Sequence, residues 1–155
     1  METTQRNSLI ERYMDGYQAV VAALAEVTAV ELDAEVADGW SIREIVHHLA
    51  DSEMTSAIRL RRLLAETNPI ISGYDEAEFA RRLYYRKRPI ESSLAAFKAA
   101  RETTATILAC MTADDWNRMG THSESGPYSA ETWLEIYVAH AEDHADQIRL
   151  AREQR

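Results

Sequence analysis

Apolar residues recur along this chain with a period near 3.6 in four long stretches, and polar residues fill the positions between. The first stretch covers residues 4–27, with Leu9, Tyr13, Tyr17, Val20, Val21 and Leu24 along one stripe. Asp38-Gly39-Trp40 then breaks the chain. The second helix starts at Ser41, where Ser41-Ile42-Arg43-Glu44 has the reciprocal capping pattern. It ends near Glu66, ahead of Asn68-Pro69. A short helix is expected over residues 75–86, closing before Pro89, and the third long helix over residues 90–111. Residues 114–127 read as irregular, with Gly120 and Gly126 as turn residues. The fourth helix is expected from Ser129 to the C-terminus. No alternating run of Val, Ile or Thr is long enough to argue for a sheet. The pattern predicts an all-α fold: a four-helix bundle with a short extra helix and, through the long second-to-third link, a crossover connection.

Composition agrees, with only five Gly and three Pro, and with Ala, Leu, Glu and Arg dominant. A chain of 155 residues is expected to form one domain, residues 1–155. Such a domain buries roughly 70% of its unfolded surface and needs no staples. The single cysteine, Cys110, rules out an internal disulfide, is expected among apolar residues, and fits a reducing cytoplasm. METTQRNSLI has neither the basic start nor the apolar run of a signal peptide, and no stretch approaches the ~20 apolar residues of a spanning helix. A soluble cytoplasmic protein without a membrane partner is the expectation. The net charge of −9, from 26 acidic and 17 basic residues, disfavours nucleic acid as a primary partner. Residues 81–88 are locally basic with interleaved tyrosines, and read as a solvated helix face leading into a loop rather than an anion site.

The fourth helix holds the candidate chemistry. Stepping about 100° per residue gathers Glu131, Glu135, Glu142, Asp146, Arg149 and Glu153 on one charged face. Leu134, Val138, Ala141, Ala145 and Ile148 fall inward, with Trp133 and Tyr137, which read as core. His140 and His144 lie inward too, one turn apart. Inward imidazoles are either hydrogen-bonded to neighbours or joined on an ion, because an unpaired buried ring nitrogen costs about 1–3 kcal/mol. On the second helix, Ile42, Ile45, Leu49, Leu60 and Leu63 face inward, and His48 falls at the edge of that arc beside Ser52 and Arg59. His47 points about 100° away, toward solvent. Glu53 also projects to the apolar side, as a hydrogen-bonded carboxylate or as support for a histidine. Met54 and Ile58 project outward, which suggests a dimer surface.

Two segments carry a resemblance. Gly39-Trp40-Ser41-Ile42-Arg43-Glu44 with His47-His48-Leu49-Ala50-Asp51-Ser52-Glu53, and Tyr137-Val138-Ala139-His140-Ala141-Glu142-Asp143-His144-Ala145-Asp146-Gln147-Ile148, resemble the DinB-like superfamily. They also resemble the related metal-dependent hydrolases and bacillithiol transferases. The resemblance spans essentially the whole chain, Asp115-Trp116-Asn117 included. It implies a bundle holding a divalent transition metal, zinc or nickel, through His48, His140 and His144. It implies either a transferase that brings a low-molecular-weight thiol to a small electrophile, or a small-molecule hydrolase, and often a homodimer. A non-catalytic, stress-related binding module is the alternative. Three imidazoles leave coordination positions open, as catalytic rather than structural sites do. Metal affinity is expected to fall below about pH 6.5, where free imidazole takes up protons. His122, in the loop before the last helix, reads as a solvated residue, and Cys110 lies outside the matched segments.

Overall fold

The computed structural model describes residues 1–34 and 39–153, so Asp38 of the expected break and residues 154–155 of the expected last helix lie outside the described residues. Helix α1 spans Thr3–Ala23 and stops short of the expected end. Glu26 takes a left-handed φ of 58°, and a helix absent from the sequence reading, α2, covers Ala29–Asp33 behind a Thr28–Glu31 capping box. Helix α3, Ile42–Ala65, begins as its sequence predicts: Ser41 Oγ accepts from the Glu44 amide, and the Glu44 carboxylate accepts from the Ser41 amide at 3.0 Å. Beyond Asn68, with φ of 47°, comes a two-residue strand β1, Ile70–Ile71. Helix α4, Glu76–Arg82, is shorter than expected, because Tyr84 adopts a left-handed φ of 57° and a 3₁₀ turn, Tyr85–Lys87, follows. Helix α5 is Glu91–Leu108, α6 is Ala113–Trp116, β2 is Met119–His122, β3 is Gly126–Ser129, and α7 is Ala130–Glu153.

The stretch read as irregular thus holds a helical turn and a hairpin. β2 pairs antiparallel with β3 and parallel with β1, giving a minor three-stranded sheet. Gly126, with φ of 82°, does serve the hairpin turn, whereas Gly120 sits inside β2. There a Cβ would stand 2.7 Å from the Pro69 carbonyl oxygen, so that position needs glycine for close approach to β1.

Side-chain pairings fix the helix directions. Arg12 meets Glu142 and Arg152 meets the Ala23 carbonyl, so α1 and α7 run parallel. Trp133 Nε1–H donates to the Ser56 carbonyl while His48 faces His140, so α3 and α7 are antiparallel. His47 meets Ser93 and Arg61 meets Thr104, so α3 and α5 are parallel neighbours. Two parallel helices in succession require the chain to travel back along the bundle between them. The link holding β1, α4 and the 3₁₀ turn does this. It is the crossover connection that the long second-to-third link predicts.

Two apolar layers fill the interior. One gathers Val20, Ile45, Leu49, Phe97 and Ile148, the other Leu60, Leu63, Trp116, Trp133 and Val138. Between them on α3 lie the buried polar residues Ser52, Glu53 and Ser56. The apolar residues expected inward on α3 and α7 are all buried, while His140 and His144 are half-buried. Of the charged α7 face, Glu131 and Glu142 border α1 and pair with Arg6 and Arg12. Met54 and Ile58 are exposed, as expected. No described helix is long and apolar enough to cross a membrane.

Candidate metal centre

His48 sits on the second turn of α3, and His140 and His144 sit one turn apart on α7. Because the two helices are antiparallel neighbours, the three imidazoles meet between them. His48 Nε2 lies 2.9 Å from His140 Nε2, and the ring centres are 4.9, 4.8 and 4.6 Å apart for the pairs 48–140, 48–144 and 140–144. One nitrogen from each ring can be chosen so that all three lie within 4.8 Å of one another. Trp40, half-buried just before α3, closes one side with its ring 4.7 Å from that of His48.

The electrostatics favour lone pairs over protons here. Burial, aided by repulsion from His144, pushes His48 down to about 3. Burial and both neighbouring imidazoles push His140 down to about 2. Burial lowers His144 as well, opposed by its bond to Gln147. That bond also sets its tautomer: Nδ1–H donates to Gln147 Oε1 at 2.7 Å, which leaves Nε2 with a lone pair. Three neutral imidazoles, each with a ring nitrogen within 4.8 Å of the others, are a donor set suited to a borderline divalent ion.

Of the residues that the sequence singled out, the structure brings His48, His140 and His144 together. It corrects His47, which is fully buried rather than turned to solvent. His47 Nε2–H donates to the Arg88 carbonyl at 3.1 Å, and its Nδ1 accepts from the Ser93 hydroxyl at 2.7 Å. The cause is the crossover link, which covers a second face of α3. It corrects Cys110 too, which is exposed beyond the end of α5 rather than among apolar residues. His122 is a strand residue whose Nδ1 accepts from the Glu124 amide at 3.3 Å, outside the cluster. Glu53 is the hydrogen-bonded core carboxylate: it accepts from Tyr13 and, at 2.6 Å, from Arg101. Tyr137 and Trp133 are buried, as expected of core residues. Four of the five basic residues of 81–88 find partners within the chain: Arg81 and Arg82 on Glu78, Arg86 on Glu44, Arg88 on Ser93. Gln147 escaped the sequence reading, although its place three residues after His144 on the same helix was the available signal.

Comparisons with known proteins identify the family. The DinB superfamily profile matches residues 12–148. A protein of Oceanobacillus iheyensis named "Putative metal-dependent hydrolase" is 37% identical over 131 residues, which is 81% of this chain and 76% of that protein. One of the same name from Geobacillus thermodenitrificans is 31% identical over 88% of this chain and 78% of its own length. Among solved structures, YfiT from Bacillus subtilis, described as "a probable metal-dependent hydrolase with an unusual four-helix bundle topology", superposes with a TM-score of 0.93. It shares 27% identity and is matched over 99% of this chain and 89% of its own. With its helical bundle, its crossover and its two motif segments matched along nearly the full length, the chain belongs to the DinB superfamily.

Proposed function

We propose that this protein is a metal-dependent hydrolase of a small molecule, with one divalent transition ion held by His48, His140 and His144. The observation that carries the reading is the convergence of three neutral imidazole nitrogens, with His144 aimed by Gln147. The names of its relatives support it. Zinc and nickel suit an all-imidazole set and are the ions proposed. When bound, such an ion acidifies a coordinated water or thiol and so supplies a nucleophile near neutral pH. The chain's own contribution is to keep the imidazoles unprotonated by burial, to hold the His144 tautomer through Gln147, and to shield one side with Trp40. No described residue in the cluster selects a thiol over water, so transfer of a low-molecular-weight thiol to an electrophile is the competing reaction to screen.

Elemental analysis of natively purified protein tests the site. Near-stoichiometric metal is expected, and His140→Ala should lose most of it. Equal metal content in the two proteins would remove His140 from the site. Turnover of ester and amide probes that persists after complete chelation would overturn the metal dependence, whereas bound metal with no turnover of any probe would leave the binding-module alternative.

We also propose that the chain acts as a cytoplasmic single-domain protein that forms homodimers through the outward face of α3. Met54 and Ile58 stand 43% and 57% exposed there. Sedimentation at micromolar concentration should show a dimer that Ile58→Glu splits. A monomeric wild type would dispose of this proposal.

A further inference from the structure

Next to the histidines, a second group of side chains has hydrogen-bonding capacity that the fold does not use. Among the described residues, Arg59 Nε, Tyr74 Oη and Tyr128 Oη are buried without a partner at full hydrogen-bond geometry, although Ser52 comes near Tyr74 and both Arg59 and Tyr137 come near Tyr128. Unsatisfied buried donors are costly and uncommon, and three around one guanidinium need a reason. Arg59 lies eleven residues after His48 on α3, almost on the same face. Its Nη1 donates to Tyr137 Oη at 2.8 Å and its Nη2 to the Ser72 carbonyl at 2.6 Å. Its Cζ stands 5.8 Å from the centre of the Tyr74 ring. Tyr128, on β3, lies within weak hydrogen-bonding reach of Arg59 and Tyr137. Tyr74 lies against Ser52, one turn beyond His48. The Tyr137 ring in turn is 6.0 Å from the His140 ring, so this cluster adjoins the histidine site.

The chemistry of the cluster is one-sided. Burial raises all three phenols, Tyr74 to about 12, so each keeps its proton and can donate. Arg59 adds a cation with its Nε–H unused. Two carboxylates face the cluster. Glu53, toward Tyr137, is already bound by Arg101 and Tyr13. Glu76, at the start of α4, faces Tyr74, Tyr137 and Arg59 from an exposed position. One guanidinium opposed by one outlying carboxylate suits a single negative charge better than a dianion.

We propose that Arg59, Tyr74, Tyr128 and Tyr137 form a subsite that binds a carboxylate of the small-molecule substrate, whose reactive bond then lies toward His48, His140 and His144. Assigning the carboxylate to a substrate rests on the hydrolase reading above, whereas anion binding at the subsite does not. The carboxylate oxygens would take the idle Arg59 Nε–H and the two phenol donors, and Arg is the side chain whose fixed fork matches them.

The probe is butyrate, with neutral butyramide as its shape control, titrated into chelator-treated protein and followed through the Arg59 Nε–H resonance by NMR. Saturable shifts with butyrate and none with butyramide are expected. Arg59→Lys keeps the charge but removes the fork, and should weaken butyrate about tenfold or more. Tyr128→Phe removes one oxygen with little risk to folding and should weaken it severalfold. Glu76→Gln should tighten it. Equal responses to butyrate and butyramide, or unchanged butyrate binding in both Arg59→Lys and Tyr128→Phe, would overturn the subsite. Inorganic phosphate binding more tightly than butyrate would overturn its assignment to a carboxylate. Because the titration uses metal-free protein, a chain that binds butyrate but carries no native metal would keep the subsite and lose the hydrolase reading. The converse result would do the opposite.

Discussion

Arg101 and Glu53 face each other at 2.6 Å, with side chains 2% and 0% exposed, in the polar layer between the two apolar halves of the bundle. The guanidinium also donates to the carbonyls of Tyr13 on α1 and Tyr137 on α7, and lies 4.0 Å over the Tyr13 ring. One side chain of α5 thereby ties itself to the other three long helices. Removing one partner would leave the other charge buried without compensation, at a cost of about 3–5 kcal/mol. Arg101→Met and Glu53→Leu should each lose stability on that scale. The double variant should lose clearly less than the sum, because no orphan charge is left. Urea unfolding of the four proteins checks this, and additive losses would show that the pair is not coupled. Arg101 was hidden in the sequence, since an arginine in a helix ordinarily marks the wet face. His140 and His144 were legible, because two titratable rings on an otherwise apolar arc break the pattern. Tyr74 and Tyr128 gave no such signal, as a tyrosine in a short loop or strand looks like any other.

At the level of elements, the close approach of α1 to α7 depends on Gly16. A Cβ there would stand 2.7 Å from Arg101 Nη2 and 2.9 Å from the Ala141 Cβ, and both neighbours are pinned. Alanine would raise helix propensity by about 1 kcal/mol. The overpacking it introduces costs about 1–3 kcal/mol. Gly16→Ala should therefore destabilise the protein on balance, seen as a lower thermal midpoint; a higher one would mean that the helices can slide apart freely. The same scale explains where helical projection failed. A wheel drawn for α3 assumes a single buried face, which is right for Leu49 and Leu60 and wrong for His47. The crossover link, which lays Tyr85 and the Arg88 carbonyl against a second face, comes from chain that has no contact with α3 in any local window. The sheet was illegible for a related reason. Strands as short as Ile70–Ile71 and Met119–His122 hold together by pairing with each other, with no periodicity of their own.

For the whole molecule, the buried histidines make stability depend on acidity. In the folded chain His48 and His140 titrate near 3 and 2, and in the unfolded chain near the ordinary 6.5. Below pH 6.5 the unfolded state takes up protons that the folded state refuses. The stability of the metal-free protein should thus be complete above about 6.5 and be lost progressively as pH falls toward 3. Urea midpoints at a series of pH values measure the slope, and His140→Leu should flatten it. A wild-type profile flat from pH 7 to 4.5 would contradict the burial of these rings. By the same reasoning, protons should begin to displace a bound ion at lower pH than the value near 6.5 expected for solvated imidazoles.

The meeting of His48 with His140 has a topological consequence. These residues are 92 positions apart, so whatever bridges them closes a ring through more than half of the chain. Closure entropy grows only slowly with ring size, but it must be met before the seam between α3 and α7 returns any contact energy. A bridging ligand would then act on the folded state alone, unlike a disulfide, which persists in the unfolded chain, and would slow the parting of the two helices more than it hastens their first encounter.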